Sequence, residues 1–404
     1  MTASDPDPIP HPFPPGALQG VRVLDLSRVL AGPSATQLLG DLGADVVKVE
    51  RPGMGDDTRK WGPPYVHDGQ GRPTTESAYY LSANRNKRSI ALDLTDPEGR
   101  ATLLRLIARA DILVENFKVG DLARRGLGYG DLKADHPGLI YCSITGFGQT
   151  GPYAGRAGYD YLIQGMGGIM SLTGEPDGMP MKVGVAIADL MAGMYSTVAI
   201  LAALDHRRRT GEGQHLDISL LDCQVAWLSN AAQYYLTSGE VTPRLGNAHP
   251  NIVPYQVFEA LDGHLILAVG NDGQFAKFAR AAGHPEWIDR PGFATNQERV
   301  GNRAEVVAAI AEVMRSRPRD WWLRELEAVG VPCGPINAID QVFDDPHVQA
   351  RGMRIAMDHK ASGRSVDLIG SPIKMSATPP AYRHAPPACG ENGDAVLADW
   401  LGGE

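Results

Sequence analysis

The stretch that decides the fold is residues 21–50, which read VRVLDLSRVLAGPSATQLLGDLGADVVKVE. Residues 21–27 form an apolar run of strand length, residues 35–42 have the apolar spacing of a helix, and residues 45–50 form a second short strand pattern. A Gly-Pro-Ser turn separates the first strand from the helix. A strand, a helix and a strand in this order predict two parallel strands joined by a right-handed crossover.

The same alternation continues along the chain. Helices are predicted at 97–110, 189–208 and 220–236, and strands are predicted at 111–116, 139–144 and 215–219. Repetition of this kind predicts a doubly wound α/β domain, with a parallel sheet covered by helices on both faces.

A second, smaller domain is predicted after residue 236. Residues 237–254 are rich in Gly, Pro, Asn and His and have little periodicity, so we interpret them as a linker and loop. A strand at 264–269 and helices near 274–282, 303–316 and 319–329 follow. The predicted organisation is a flexible Pro-rich arm (1–18), a large domain (19–236), a linker and small domain (237–335), and a return segment that packs on the large domain (336–404).

The composition excludes several classes of function. The chain has 404 residues, 43% of them hydrophobic, and a formal net charge of -9, which disfavours binding to nucleic acid because phosphates require clustered Lys and Arg. The four cysteines are far apart and lack metal-binding spacing, so we expect no disulfide, no metal site and a reducing compartment. The amino terminus lacks the basic and apolar regions of a signal peptide.

Residues 185–204 are almost entirely apolar and could be mistaken for a membrane span. They contain Asp189, and a charged side chain near the centre of a lipid-embedded helix costs roughly 3 kcal/mol. The flanking sequence has the pattern of an α/β protein. We therefore predict a buried helix and no membrane association.

Three segments are candidates for binding phosphate. The turn at 28–34 precedes a helix whose first N–H groups can hold an anion, or it is a plain helix start with proline at the first position. The GxGxxG motif of dinucleotide sites is missing. Arg51 follows the second strand, where open α/β sheets bind ligands, or it is a solvated surface arginine. Residues 84–89, which include Arg88, have three cations and form either a phosphate clamp or a charged, solvated loop.

Asp189 stands at the start of an otherwise apolar helix and has two interpretations. As a helix cap, its side chain would accept backbone N–H groups and stabilise the helix by about 1 kcal/mol. As a functional group, it would be a carboxylate that the helix amino terminus keeps ionised, able to act as a nucleophile. Ala192, Gly193 and Ser196 share its helix face, so a ligand or another backbone segment could approach closely. The spacing leaves both interpretations open.

No Ser-His-Asp order, P-loop or HExxH motif is present, and most histidines have the pattern of surface residues. His249 is the exception, because it lies with Asn247 in a polar, glycine-containing loop, GNAHPN. We retain Asn247, His249 and Arg88 as candidates for substrate contacts.

Together these segments resemble one family, the family III CoA-transferases, which include formyl-CoA transferase. The resemblance covers about residues 20–370 and rests on the order and spacing of many motifs, among them LDLSRVLAGPSATQLLGDLGADVVKVERPG, NRNKRSIALDL, ADILVENF, GYDYLIQGMGG and RRTGEGQHLDISLLD. WGPPY, CSITGFGQTGP and GNAHPNIVPYQVF resemble the branch of succinate–hydroxymethylglutarate CoA-transferases, which use dicarboxylic acids.

The resemblance implies a Rossmann-like large domain, a smaller α/β domain and an interlocked homodimer in the cytoplasm. It implies that coenzyme A and acyl-CoA are substrates, and that no cofactor is bound permanently. It maps the nucleophilic aspartate of the family onto Asp189. It maps the CoA contacts onto Val29, Ala31, Arg51, Leu92, Asn116, Phe117, Arg124 and Tyr159.

Two departures from the formyl-CoA transferase pattern, Leu30 for Gln and Ala157 for Lys, argue against oxalate as the acid. The family also contains α-methylacyl-CoA racemases, the first alternative, which have a histidine where this chain has Tyr159. Tyrosine titrates near pH 10 and is a poor base at neutral pH, so this residue favours transfer over racemisation. The second alternative is a CoA-binding protein without catalysis.

Overall fold

The computed structural model describes residues 15–402. Residues 1–14, which make up most of the predicted arm, lie outside the described residues. The chain divides into two compact units. The first contains residues up to 169, 183–233 and 346 onwards, and the second contains residues 170–182 and 234–345. The second unit thus begins with a short excursion at 170–182, within the range assigned to the large domain from the sequence.

The described residues contain thirteen strands, which belong to both units. They are β1 (Arg22–Asp25), β2 (Asp45–Glu50), β3 (Tyr65–His67), β4 (Pro73–Ser77), β5 (Lys87–Ala91), β6 (Ile112–Glu115), β7 (Ile140–Thr145), β8 (His215–Ser219), β9 (Tyr255–Ala260), β10 (Gly263–Ala268), β11 (Cys333–Pro335), β12 (Arg354–His359) and β13 (Arg364–Ile369).

The helices range from single turns to one of 24 residues. They are α1 (Ala31–Asp41), α2 (Ala78–Leu81), α3 (Pro97–Ile107), α4 (Tyr129–Leu132), α5 (Asp160–Met166), α6 (Ile169–Leu172), α7 (Ile187–Thr210), α8 (Leu220–Ala226), α9 (Ser229–Ser238), α10 (Asp272–Ala281), α11 (Asn296–Gly301), α12 (Arg303–Met314), α13 (Arg319–Ala328), α14 (Ile339–Asp344), α15 (Pro346–Ala350) and α16 (Gly393–Leu401).

The first unit is organised around a six-stranded sheet in the order β5-β2-β1-β6-β7-β8, with every neighbouring pair parallel. Counted along the chain, this is the 3-2-1-4-5-6 order of the dinucleotide-binding fold. The prediction of a doubly wound parallel sheet is confirmed. The strand order reverses between β1 and β6, and open sheets of this type bind ligands at that point, beyond the carboxyl ends of the strands.

Each face of the sheet has its own apolar core, because successive strand residues point to opposite faces. On one face, residues such as Val23 and Val114 pack with α1 and α7. On the other face, Leu24 and Leu113 pack with α3 and α16. The central residues of these strands are therefore apolar on both faces, which is the pattern expected of a parallel sheet covered on both sides, while buried charged residues such as Asp25 and Lys87 lie at strand ends.

Helix α7 packs closely against α1. A Cβ atom placed on Gly193 would lie 2.3 Å from the Ser34 Oγ and 2.8 Å from the Ala31 carbonyl oxygen. The small residues predicted on the Asp189 face therefore admit another backbone segment, which holds the start of α7 beside the loop after β1. The single helix predicted at 220–236 is wrong, since it is divided into α8 and α9 where Ser229 adopts a φ of 47°.

The segment at 84–89 is neither a phosphate clamp nor a solvated loop. Arg85 is buried and donates to both carboxylate oxygens of Asp41, at 2.9 and 2.5 Å. Lys87 is buried and lies 3.0 Å from Asp25. These cations are neutralised inside the protein because the segment leads into β5, an edge strand that α16 and the C-terminal segment cover.

The second unit contains an antiparallel sheet in the order β11-β10-β9. Helices α10, α12 and α13 supply the apolar core beside it, with Phe275, Phe278 and Trp322 fully buried. The strand and the three helices predicted in this region are present within two residues of the expected bounds.

Candidate active site

The loops after β1 and β6 meet at the point where the strand order reverses. The Arg28 amide donates to the Asn116 side-chain oxygen at 2.9 Å, and the Asn116 side-chain amide donates to the Arg28 carbonyl oxygen at 2.7 Å. The Arg28 guanidinium also lies 5.6 Å from the centre of the Phe117 ring. These contacts hold the two loops together at the crevice where open α/β sheets bind ligands.

Two cavities open at this edge of the sheet. The Arg51 cavity, of about 250 Å³, is lined by the ends of β1, β2 and β5 and by Arg51, Leu92, Phe117 and Arg125. The Asp189 cavity, of about 300 Å³, is lined by Val29, Ala31, Asn116, Phe117, Arg156, Tyr159 and Asp189, among others. Arg28 and Phe117 belong to both linings, so the cavities are neighbours along one crevice.

Asp189 is the third residue of α7 and does not cap the helix. The cap position is Ala186, which has no side chain to accept a hydrogen bond. Instead, the Asp160 carboxylate accepts the Ala188 N–H at 2.8 Å and the Gln164 side-chain amide at 2.7 Å. Gln164 in turn accepts the Val183 N–H at 2.8 Å. Helix α5 therefore holds the segment that enters α7 and leaves the carboxyl group of Asp189 available to the cavity.

The carboxyl group of Asp189 has no hydrogen-bond or ion-pair partner among residues 15–402. Burial, together with the smaller effect of the negative charge of Asp160, raises its pKa from the ordinary 3.8 to about 7. This reverses the expectation that the helix amino terminus keeps the group fully ionised. Tyr79 lies near enough that burial and the charge of Asp189 raise its own pKa to about 12.

Val29 occupies a strained backbone conformation beside Asp189. Its φ is 72°, in the left-handed region that a β-branched residue rarely adopts, and its N–H donates to the Asp56 carboxylate at 3.3 Å. Strain of this kind is found where function requires a particular backbone position. Here it orients the turn that forms one wall of the Asp189 cavity.

The structure brings most of the site residues chosen from the sequence into one crevice. Val29, Ala31, Asn116, Phe117, Tyr159 and Asp189 line the Asp189 cavity, and Arg51, Leu92 and Phe117 line the Arg51 cavity.

The remaining four candidates lie elsewhere. Arg124 forms an ion pair with Asp121, and its neighbour Arg125 lines the Arg51 cavity instead. Arg88 lines neither cavity, because its guanidinium lies 2.5 Å from the Asp45 carboxylate and 2.9 Å from the Asp399 carboxylate. Asn247 and His249 belong to the second unit, where the His249 Nδ1 accepts the Asn251 N–H at 3.1 Å.

Sequence reasoning assigned no role to Asp160, Arg125 or Arg156. Asp160 follows Tyr159 directly in the GYD motif, so a carboxylate beside a candidate CoA contact was a usable signal. Arg156 precedes the same motif, in RAGYD. Arg124 and Arg125 are neighbours in a short helical turn, and sequence spacing alone does not show which of the two lines the cavity.

Comparison with known proteins agrees with this geometry. A family model described as CoA-transferase family III matches residues 18–393. This chain belongs to CoA-transferase family III. It is 52% identical to a succinate–glutarate CoA-transferase of Agrobacterium fabrum, over 97% of both chains. It is 44% identical to the human succinyl-CoA:glutarate CoA-transferase, over 95% of this chain and 86% of the human one.

A solved structure supports the same assignment. The crystal structure of a CAIB/BAIF family protein from Brucella suis matches with a TM-score of 0.85 and 50% identity, over 96% of this chain and all of the other. The resemblance inferred from the motifs is therefore confirmed, and the protein is a family III CoA-transferase.

The raised pKa of Asp189 leads to a pH prediction for this transferase. If Asp189 reacts as a carboxylate, activity falls as the pH falls through about 7, where the group takes up a proton. Asp160→Asn removes the negative charge that helps to raise this pKa while keeping an oxygen for the Ala188 N–H. We therefore expect the acid limb of kcat/KM to shift to lower pH in this variant.

The matched control is Asp205→Asn, which removes an exposed carboxylate from the same helix far from the cavity. Its pH profile should coincide with that of the unmodified protein. An acid limb that does not move in Asp160→Asn, or that moves equally in both variants, would contradict the electrostatic coupling.

Proposed function

We propose that this transferase moves CoA from succinyl-CoA to a dicarboxylic acid such as glutarate, through covalent intermediates on Asp189. The observation that carries the proposal is an unpaired carboxyl group in a cavity at the ligand-binding edge of the sheet, in a chain of this family. The relatives that are named for succinate and glutarate support the choice of acids.

In the proposed mechanism, the Asp189 carboxylate attacks the thioester carbonyl of the donor, and CoA leaves as a thiolate. The product is an anhydride between Asp189 and the donor acid. The thiolate then attacks the Asp189 carbonyl carbon, which forms an aspartyl–CoA thioester and releases the donor acid. The acceptor carboxylate attacks this thioester, and the same two steps in reverse produce the new acyl-CoA.

A pKa near 7 for Asp189 favours this chemistry, because it makes the carboxylate more nucleophilic than an ordinary aspartate while half of it remains ionised at neutral pH.

The proposed position of CoA follows the crevice. Arg51 and Arg125 line the Arg51 cavity without the close carboxylate contacts that occupy Arg59 and Arg85, so their guanidinium groups are available to phosphates. The thioester end would pass Phe117 and Asn116 to reach Asp189. Tyr159, Val29, Ala31 and Leu92 are proposed as further contacts.

Arg51→Ala tests this position. We expect KM for acyl-CoA to rise about 10-fold with little change in kcat, since loss of one charged hydrogen bond weakens binding of substrate and transition state alike. Arg72→Ala, which removes an arginine exposed in the loop between β3 and β4, should leave both constants unchanged. A fall in kcat without a change in KM would contradict the placement of Arg51 on the CoA phosphates.

We propose that the protein is an interlocked homodimer in the cytoplasm. Helix α7 is long and apolar enough to cross a membrane by length and composition. However, one of its faces packs into the core, and its last turn carries Arg207, Arg208 and Arg209. Met194, Tyr195 and Val198 expose an apolar stripe on the other face, which a second copy of the chain would cover. A mass of two chains that persists on dilution, measured by light scattering, is the expected result.

The proposed activity is tested by incubating the purified protein with succinyl-CoA and a panel of acids. New acyl-CoA should appear with glutarate, and the peptide that contains Asp189 should gain a mass of CoA or acyl that hydroxylamine removes. A complete lack of exchange would favour a CoA-binding protein without catalysis. Exchange of the α-proton of a 2-methylacyl-CoA with solvent deuterium would favour the racemase alternative.

A further inference from the structure

Arg156 is a cation without a counterion in the Asp189 cavity. Its guanidinium carbon lies 4.6 Å from the centre of the Tyr153 ring and 5.1 Å from that of the Phe147 ring. Its nearest polar contact is the Met166 sulfur, at 4.0 Å. Within the described part of the chain, no carboxylate forms an ion pair with it, and its side chain is exposed.

The other charged side chains of this cavity are mostly paired. Arg28 lies 2.9 Å from the Asp57 carboxylate, and Asp121 is paired with Arg124. Asp189, Arg156 and Lys118 are the cavity-lining charges that have no ion pair in residues 15–402. The cavity therefore holds one uncompensated carboxyl group and two uncompensated cations.

Of the two cations, Arg156 is the better anchor for an anion. Its guanidinium is held against two aromatic rings, and cation–π contacts restrict the side chain before a ligand arrives. Its planar fork matches a carboxylate with two parallel hydrogen bonds, whereas Lys118 presents a point charge on a flexible, exposed stem. Within the described residues no ion pair joins Arg156 to Asp189, so Arg156 is available to bind another anion.

We propose that Arg156 binds the second carboxylate of the dicarboxylic acid while the first carboxylate reacts at Asp189. This inference rests on the proposed function and adds the residue that selects dicarboxylic over monocarboxylic acids. Arg156 binds substrate away from the reacting atoms, so it determines specificity and does not take part in bond formation. The same contact would hold the free carboxylate of the succinyl group in the donor.

The test compares glutarate with pentanoate, which has the same number of carbons and a methyl group in place of the second carboxylate. With one acyl-CoA donor, the ratio of kcat/KM for glutarate to that for pentanoate should fall about 100-fold in Arg156→Met, since a charged hydrogen-bonding pair is lost. The value for pentanoate itself should not fall. If pentanoate is turned over too slowly, the inhibition constants of the two acids provide the same ratio.

Two variants make the result specific. Arg156→Lys keeps the charge without the fork and should recover part of the ratio, and Lys118→Met should leave it unchanged. A selective loss of glutarate use in Lys118→Met would overturn the assignment to Arg156. So would an equal loss for both acids in Arg156→Met, because that pattern indicates a structural role.

Failure of this inference is distinguishable from failure of the proposed function. If the unmodified protein forms the Asp189 adduct and transfers CoA, but Arg156→Met keeps the full preference for glutarate, only the inference about Arg156 is lost. If the unmodified protein forms no adduct and accepts neither acid, the proposed function itself is rejected.

Discussion

Replacement of Asp189 by asparagine is expected to reduce CoA transfer by at least about 10⁴-fold, because the nucleophile of a covalent mechanism is removed. The amide has nearly the same size as the carboxyl group, and Asp189 has no hydrogen-bond partner in residues 15–402 whose loss would disturb the fold. The change should therefore act on chemistry alone. Steady-state rates with succinyl-CoA and glutarate measure it.

Binding of CoA should survive in Asp189→Asn, since the Arg51 cavity does not include residue 189. Calorimetric titration with CoA is the matching measurement. Asp205→Asn, on the exposed part of the same helix, provides the control and should keep full activity. Transfer above about 1% of the original rate in Asp189→Asn, with no deamidation detected by mass spectrometry, would exclude Asp189 as the carrier.

The same variant should be slightly more stable than the unmodified protein. A carboxyl group whose pKa is raised in the folded state costs stability once the pH exceeds its ordinary pKa of 3.8, and the cost reaches its maximum above about pH 7. Allowing for the partial exposure of the side chain, the gain at pH 8 is on the order of 2 kcal/mol. For a chain of this length that corresponds to about 2 °C in Tm.

The fold was predictable because its elements follow local rules. The stretch from residue 21 to 50 has the period of a strand, a helix and a strand, and β1, α1 and β2 lie where that period places them. A continuous apolar pattern does not show where a helix is interrupted, however. The left-handed backbone conformation of Ser229, which divides α8 from α9, could therefore not be predicted. An apolar pattern also does not show which face of α7 packs into the core and which face is exposed.

The candidate site was only partly predictable, because charge pairing is a property of tertiary structure. A cluster of Arg and Lys at 84–89 has the composition of a phosphate site, yet its partners Asp25, Asp41 and Asp45 are distant in sequence. The same limitation applied to Asp189. Its position near a helix start suggested a lowered pKa, but Asp160 occupies the helix N–H group and adds a like charge.

Replacement of Asp25 by asparagine is expected to produce the largest loss of stability. Asp25 ends β1 and is fully buried, where it accepts hydrogen bonds from Thr36 at 2.7 Å, from the Ser27 N–H at 2.9 Å and from Lys87 at 3.0 Å. Burial alone would raise its pKa, but the charges of Lys87 and Lys48 lower it to about 2. The folded protein thus holds this carboxylate in its ionised form.

Removal of one partner from a buried ion pair leaves the other charge without compensation, which costs about 3–5 kcal/mol. We expect the free energy of unfolding, measured by urea denaturation at pH 7, to fall by this amount in Asp25→Asn. Lys87 is fully buried as well, and burial already lowers its pKa to about 8 despite the nearby carboxylate. Without Asp25 it is expected to release its proton at a lower pH, so the loss of stability should become smaller as the pH rises towards 8. Above pH 8, where Lys87 of the unmodified protein also releases its proton, the loss should stay constant.

Two further variants distinguish this cause from a general effect of removing a charge. Asp68→Asn breaks an exposed ion pair with Arg72 and should change stability by no more than the error of the measurement. Asp25→Asn combined with Lys87→Met removes both buried charges and should recover part of the loss, because the desolvation cost of the lysine also disappears. If the double variant is no more stable than Asp25→Asn alone, the hydrogen bonds that Asp25 accepts from Ser27 and Thr36 are the dominant contribution, and the buried ion pair is not. Since these bonds hold the turn that leads to Val29, that outcome would also predict a loss of CoA transfer under conditions in which the variant is still folded.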